Sequence, residues 1–187
     1  MTGILRHADP DRDGPGCAAI YAPYVTGSAA SFEEVAPSPA EFSARIRATT
    51  RTHPWLVLHE DGETVAYAYA SPHHPRAAYR WAADVAVYVA SAHHRRGAGR
   101  RLYGALFELL RRQRLTVAVA GITLPNGASV GLHRAFGFEQ VGVYRDIGWK
   151  AGAWRDVSWW QLRLGPLDPA GPPAEPLGPQ RLPEDFA

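Results

Sequence analysis

This 187-residue chain has a single cysteine and no long apolar run. Because Cys17 has no second cysteine to pair with, an internal disulfide is excluded, as is usual for proteins of a reducing compartment. A membrane-spanning helix would need about 18 consecutive apolar residues, and the sequence contains no such stretch. The first residues, MTGILRHADPDRDG, also lack the apolar segment of a signal peptide. We therefore expect a cytoplasmic protein that does not enter a membrane.

The chain also lacks a strong excess of charge of either sign. Its formal net charge is +2 at pH 7, which is too small to predict a nucleic-acid partner. With 46% hydrophobic and 20% charged residues, the composition is that of an ordinary globular protein, and the length suits one domain. Residues 165–187 hold seven of the sixteen prolines and have almost no periodicity. We predict one domain over residues 1–164, followed by a Pro/Gly-rich tail over 165–187 that is disordered or loosely packed.

Within the domain, strand-like and helix-like patterns are interspersed, which predicts an α+β or α/β fold with a mixed sheet flanked by helices. Two local signals are strong. Ser38, Pro39 and Glu41 form a capping-box pattern at a helix start, and Asp61-Gly62 is a hairpin turn. The predicted strands cover 4–8, 55–60, 64–71, 81–89, 116–122, 138–144 and 156–164, and the predicted helices cover about 13–21, 39–50, 99–113 and 128–136. In the third helix, the spacing of Leu102, Leu106, Leu109 and Leu110 predicts one buried face.

The segment HHRRGAGRRLYGALF, residues 93–107, follows a predicted strand and opens a predicted helix. Its glycines allow backbone N–H groups to approach a ligand, the helix start adds partial positive charge, and four arginines surround them. A phosphate or pyrophosphate ligand is the functional interpretation. The segment lacks the Gly-Lys-Ser/Thr of a P-loop and the glycine spacing of a dinucleotide-binding fingerprint. From the residues alone, a solvated arginine-rich helix start remains an equal alternative.

The hexapeptide from His94 to Gly99 resembles motif A of the GCN5-related N-acetyltransferase (GNAT) superfamily, with histidine where glutamine or arginine is usual. Five segments in order are similar to the phosphinothricin and methionine sulfoximine N-acetyltransferase family. They are YAPYVTGSAASFEE (21–34), AAYRW (77–81), VYVASAHHRRGAGRRLY (87–103), TLPNGASVGLHRAFGF (123–138) and GWKAGAWRDVSWWQ (148–161).

This resemblance implies a strongly twisted mixed sheet that is splayed open beside strand 81–89, and acetyl-CoA as co-substrate. It also implies a homodimer. We expect core or dimer contacts, and no role in the chemistry, for Trp149, Trp154, Trp159 and Trp160. Main-chain groups of Val87, Tyr88 and Val89 would contact the pantetheine arm, Asn126 would also contact the arm, and backbone amides of Arg95, Arg96, Gly97, Ala98, Gly99 and Arg100 would hold the pyrophosphate.

Two residues are candidates for proton transfer. Asp84 lies in an apolar strand, where an unpaired carboxylate is costly, and it aligns with the family's catalytic glutamate. Because aspartate is one methylene shorter, proton abstraction through a water is favoured over direct abstraction. His133 matches the family position for protonating the leaving thiolate, a task that suits histidine. The alternatives are a structural strand carboxylate and a structural helix histidine.

The family's amino-acid pocket corresponds to Phe32, Arg76 and Tyr79, of which Arg76 could bind a carboxylate or phosphinate through two hydrogen bonds. His73-His74 and His93-His94 do not form a metal motif, and we expect no metal. The resemblance therefore implies an N-acetyltransferase that acts on a small amino acid or analogue by direct attack in a ternary complex. The alternatives are acetylation of a polyamine, an aminoglycoside or a peptide N-terminus, and a non-catalytic acyl-CoA-binding module.

Overall fold

The structure is a computed structural model that describes residues 3–166, 171 and 173–182. In these residues a seven-stranded sheet is flanked by helices on both faces. The strands are β1 (Ile4–His7), β2 (Trp55–Glu60), β3 (Glu63–Pro72), β4 (Ala82–Val89), β5 (Val117–Thr123), β6 (Glu139–Lys150) and β7 (Ala153–Arg163). The helices are α1 (Pro10–Thr26), α2 (Pro39–Thr49), α3 (Ala98–Arg112) and α4 (Gly127–Ala135).

The sheet has the order β1-β2-β3-β4-β5-β7-β6, and β4 and β5 are the only described strands that pair in parallel. Their ladder has three residue pairs, from Ala82↔Val117 to Asp84↔Val119, after which the strands diverge. On its other edge, β4 stays paired with β3 along its whole length. The splayed mixed sheet expected from the family resemblance is therefore confirmed.

Both local signals are also confirmed. The Ser38 hydroxyl accepts from the Glu41 amide, and the Glu41 carboxylate accepts from the Ser38 amide, so the capping box begins α2. Asp61 and Gly62 have φ angles of 51° and 87°, as a tight β2–β3 turn requires.

The predicted bounds of α1 and of the last two strands were wrong. Helix α1 runs through Pro15 and Pro23, because its buried face packs against the sheet and outweighs the local cost of proline. Strand β6 bulges after Tyr144, where the Asp146 amide donates to the Asp156 carboxylate, and then continues to Lys150. The strand therefore extends six residues beyond the predicted end at Tyr144.

Each face of the sheet carries its own core. On one face α3 buries its predicted leucines, Leu102, Leu106, Leu109 and Leu110. On the other face α1 and α2 cover an aromatic cluster that includes Trp55 and Tyr67. Trp160 is buried as expected, whereas Trp149 and Trp154 are each 60% exposed and do not belong to the core. None of the described helices is long and apolar enough to cross a membrane.

Part of the predicted tail contacts the domain. Glu175 forms a two-bond ion pair with Arg80, the Trp81 indole donates to Ala174 O, and the Leu177 amide donates to Gln113 O. Other parts of the tail, residues 167–170, 172 and 183–187, lie outside the described residues. Disorder over 165–187 as a whole stays a prediction.

Candidate active site

A cleft of about 930 Å³ opens where β4 and β5 diverge. It is lined by segments from β4, the loop that follows it, α3, β5 and α4, in particular Val85–Val89, His93–Arg95, Gly97–Arg100, Tyr103, Ala120–Thr123, Asn126–Ser129, Leu132 and His133. The cleft therefore joins every segment of the predicted cofactor site. An adjoining cleft of about 1180 Å³ shares four of these residues, Val89, His94, Thr123 and Asn126, and extends along α1 towards the β6–β7 turn.

The loop after β4 has the conformation of an anion site. Arg95 and Gly97 both have positive φ angles, 60° and 85°, and Gly97 is the N-cap of α3 without a capping side chain. The first amides of a helix have no intrahelical acceptor, so those of Ala98, Gly99 and Arg100 are available to an anion. Apart from its chain neighbours Arg96 and Ala98, no described residue has an atom within 4 Å of the position a Cβ would take on Gly97. The cradle is therefore open in front of the helix start.

The arginines of this loop leave their charges in solvent. Arg95, Arg96 and Arg100 are exposed, and none of them forms an ion pair with the part of the chain that the structure describes. Arg100 lies over the ring of Phe136 at 6.0 Å. The loop thus combines main-chain donors with mobile positive charge, as the sequence predicted for a phosphate or pyrophosphate ligand.

At the end of β4, the carbonyl of Val89 is already engaged by two side chains. The Tyr24 hydroxyl donates to it at 2.7 Å, and His94 Nε2 lies 3.0 Å away. Tyr24 and His94 are themselves 3.1 Å apart. The sequence did not predict this contact, because α1 and the motif A loop are distant along the chain. A pantetheine contact at Val89 O would have to compete with these two bonds.

Asp84 is paired with His73, a histidine to which the sequence alone assigns no role. His73 Nδ1 lies 2.8 Å from Asp84 Oδ1, and the two side chains are 29% and 39% exposed. Burial raises the pKa of Asp84, and the hydrogen bond from His73 opposes that shift. The pairing follows from the strand register, in which Ser71 is opposite Asp84 and the His73 amide donates to Ala82 O.

Two of the three predicted acceptor residues lie on the loop between β3 and β4, beside this pair. The ring of Tyr79 is 5.9 Å from that of His73 and 4.9 Å from that of His74. Arg76 caps the short helical turn Ala77–Tyr79 and is exposed. The loop thus places the phenol of Tyr79 beside the imidazole that contacts Asp84, and it carries the exposed cation of Arg76 three residues before Tyr79.

Phe32, the third acceptor candidate, lies on the connection between α1 and α2. A Cβ on Gly148 would collide with its ring, and Lys150 Nζ donates to Glu33 O. The absence of a side chain at Gly148 therefore allows the β6–β7 hairpin to pack against this connection. Phe32 itself is 40% exposed, so its ring is accessible to a ligand.

His133 and Asn126 occupy α4, on the other side of the splay. His133 is buried, its Nδ1–H donates to Ser129 O at 2.8 Å, and its Nε2 lies 3.1 Å from the Tyr103 hydroxyl. Burial lowers the pKa of His133, so the neutral ring is favoured. Asn126 caps α4 by accepting from the Ser129 amide. No cluster of three or more potential metal ligands occurs among the described residues.

Comparison with known proteins gives a consistent result. The family model described as Acetyltransferase (GNAT) domain matches residues 11–159. A phosphinothricin N-acetyltransferase of Alcaligenes faecalis is 40% identical over 164 residues, which cover 84% of this chain and 81% of that protein. An L-methionine sulfoximine/L-methionine sulfone acetyltransferase of Pseudomonas paraeruginosa is 38% identical over 171 residues, covering 89% and 97%. Among solved structures, a GNAT superfamily phosphinothricin acetyltransferase of Sinorhizobium meliloti in complex with AcCoA matches with a TM-score of 0.87 and 32% identity, covering 94% of this chain and 95% of that one.

Proposed function

Because the chain belongs to the GNAT acetyltransferase family and is an acetyl-CoA-dependent N-acetyltransferase, we propose that its acceptor is the amino group of a small amino acid or analogue. The relatives named above act on phosphinothricin and on methionine sulfoximine or sulfone, according to their names. The observation that carries the proposal is the loop between β3 and β4, where exposed Arg76 lies in the same short segment as Tyr79 and the His73–Asp84 pair.

The cofactor part of the proposal assigns the pyrophosphate of acetyl-CoA to the amides of residues 95–100 and the pantetheine arm to β4 and Asn126. The left-handed Gly97, the open cradle in front of α3 and the exposed arginines fit a group of that charge and shape. The splay between β4 and β5 fits an extended arm that takes the place of a missing strand partner. When bound there, acetyl-CoA supplies an activated acetyl group and a thiolate leaving group.

The acceptor part of the proposal assigns Arg76 to the anionic end of the substrate, with Tyr79 and Phe32 as further walls. A guanidinium can hold a carboxylate or phosphinate through two parallel hydrogen bonds. The same charge disfavours a polyamine or an aminoglycoside, since those acceptors are themselves cations.

For the chemistry, an amine arrives mostly protonated at neutral pH and must lose a proton before it can attack the thioester. Asp84 is proposed to accept this proton, directly or through an intervening group. His133 is proposed to supply the proton that the leaving thiolate takes up. In the neutral ring the single N–H donates to Ser129 O and Nε2 faces the Tyr103 hydroxyl, so His133 must first take up a proton at Nε2 before it can pass one to the cleft through Tyr103.

A homodimer is also part of the proposal. Large apolar side chains are exposed along β6 and β7, namely Val141, Tyr144, Ile147, Trp149 and Trp154. Exposed apolar patches of this kind are typical of protein contacts. Sedimentation velocity should give the mass of a dimer, and Trp149→Glu should shift it towards the monomer. A monomeric wild-type protein would contradict this part alone. A cytoplasmic location stays a prediction.

The acceptor is tested by measuring thiol release from acetyl-CoA with a panel of amines. We expect phosphinothricin or methionine sulfoximine to give a higher kcat/KM than spermidine, kanamycin or a peptide N-terminus. If a polycation is the better substrate, the proposed acceptor is wrong, although the family assignment is unaffected. If none of the amines increases thiol release, the proposed acceptor class is wrong.

A further inference from the structure

Asp84 and His73 lie on the same face of the sheet. Side chains alternate between faces along a strand, so Asp84 shares its face with Ala86 and Tyr88, and Tyr88 packs in the cluster under α1 and α2. His73 is the diagonal neighbour of Asp84 on that face, because its amide pairs with Ala82 O. The His73–Asp84 pair therefore lies at the start of β4, on the face of the sheet that α1 and α2 cover.

The hydrogen bond fixes the form of the imidazole. An ionised carboxylate can only accept, so the 2.8 Å contact requires a hydrogen on His73 Nδ1. In the neutral ring, Nε2 is then left with its lone pair. The side chain is 29% exposed, so this nitrogen can receive a proton and later release it to solvent.

We propose that His73 is the group that takes the proton from the acceptor amine, and that Asp84 is the residue that positions it. The inference rests on the proposed function and refines its account of Asp84. A carboxylate whose Oδ1 already accepts a strong hydrogen bond is a poorer base, and its short side chain keeps it close to β4. The ring of His73 extends the reach of the pair beyond the strand, in the arrangement by which a carboxylate orients a catalytic histidine.

The proton balance is complete without another reactant. One proton passes from the ammonium group to His73 Nε2, and the resulting imidazolium is stabilised by Asp84 and returns the proton to solvent. The free amine then forms the C–N bond as the C–S bond breaks. The second proton of the amine is lost as the amide forms, and it balances the proton that the leaving thiolate takes up.

The decisive variant is His73→Asn. The asparagine amide can still donate to Asp84 in place of Nδ1–H, but it has no basic nitrogen. If His73 is the base, kcat should fall by about a hundredfold or more, the usual contribution of general-base catalysis, with little change in KM for acetyl-CoA. If His73 only orients Asp84, His73→Asn should keep activity within a few-fold of the wild type, and the proposal is overturned.

Chemical rescue by imidazole distinguishes a loss of catalysis from a loss of folding. Added imidazole should restore part of the activity of His73→Ala, and it should have no effect on His74→Ala, a matched control because His74 does not contact Asp84 in the structure. A lack of rescue in a His73→Ala variant that binds coenzyme A normally would contradict the proposal.

A measurement without turnover separates this inference from the choice of acceptor. Nitrogen-15 NMR of the labelled protein should show the Nδ1–H tautomer at His73, and Asp84→Asn should abolish that preference. An Nε2–H tautomer in the wild type would overturn the inference whichever amine is the substrate. Conversely, if phosphinothricin is not acetylated but another amine is, the His73 variants are assayed with that amine, and only the proposed acceptor is lost.

Discussion

Replacing Gly97 by alanine tests whether the loop after β4 binds coenzyme A through its backbone. Gly97 has a φ of 85°, and its missing Cβ faces open space, so alanine would meet no neighbouring atom. The effect of the substitution is therefore confined to the backbone conformation. An L-residue with a side chain costs roughly 1–2 kcal/mol in the left-handed region. This is the strain that Gly97→Ala should introduce.

The strain must appear either as lost stability or as lost affinity. If the free loop keeps its conformation, unfolding becomes easier by that amount, and Tm should fall by about 2–8 °C for a chain of this size. If the free loop relaxes, coenzyme A must restore the left-handed conformation, and Kd should rise by about 5- to 30-fold. Gly97→Asn should have a smaller effect of the same kind, because asparagine tolerates positive φ better than alanine does.

Calorimetric titration with coenzyme A and thermal unfolding measure the two quantities on the same samples. Gly104→Ala is the matched control, since Gly104 lies in α3 and nothing lies within 4 Å of the position its Cβ would take. There, alanine should stabilise the helix by about 0.5–1 kcal/mol and leave Kd unchanged. If Gly97→Ala changes neither Tm nor Kd, or if Gly104→Ala weakens binding equally, the loop does not act through the conformation of Gly97.

Three other changes follow from the contacts described above. Arg76→Ala should raise KM for an anionic acceptor by about ten- to a hundredfold, because a charge-assisted hydrogen bond contributes about 1.5–3 kcal/mol. KM for acetyl-CoA should not change. If the variant and the wild type have the same KM for the acceptor, the assignment of Arg76 is wrong. Asp13→Ala should destabilise the protein by about 3 kcal/mol, since it leaves Arg6 without its buried partner. Burial tends to raise the pKa of Asp13, but the hydrogen bonds from Arg6 and from the Asp9 amide outweigh it and lower the pKa. This stabilisation is therefore present above about pH 4 and is lost as the pH falls through the folded-state pKa. If the Tm of the wild type depends on acid pH no more than the Tm of Asp13→Ala does, this reasoning is wrong. Ending the chain after Gly165 should lower Tm more than Glu175→Ala does, because the tail contributes main-chain contacts besides its exposed ion pair. If the full-length and shortened chains have the same Tm, those contacts do not stabilise the domain.

The features that the sequence predicted correctly depend on residues that are close together along the chain. The capping box at Ser38, the turn at Asp61-Gly62 and the apolar face of α3 each involve residues within a few positions of one another. The splay beside β4 came from the family resemblance. The predicted bounds of α1 were too narrow, because the helix begins at Pro10 and continues past Pro23 to Thr26, where packing on the sheet outweighs the local cost of proline.

The contacts that the sequence could not predict all cross between segments. His73 reaches Asp84 only because β3 and β4 pair in one particular register, and a shift of one residue would turn the two side chains to opposite faces. The Tyr24 hydroxyl meets Val89 O although 65 positions separate them. A histidine pair in a loop has no sequence signature that distinguishes a strand-paired base from a solvated side chain. The contact between His73 and Asp84 can be predicted only when the register of β3 and β4 is known.

The arrangement along β4 explains how one strand can serve both substrates. The proposed proton chemistry lies near its first residues, at Asp84, and the cofactor loop begins after its last residue, Val89. Five residues of extended strand separate the two by about 16 Å. The pantetheine arm is proposed to lie along this interval, so its length brings the acetyl group from the loop towards Asp84. The contacts of the loop between β3 and β4 described above, from His73 to Asp84 and to Ala82 O, lie at the Asp84 end of the strand. Substitutions in that loop can therefore change the acceptor without changing the cofactor site, whereas the register of β3 and β4 must be kept, because it holds His73 against Asp84.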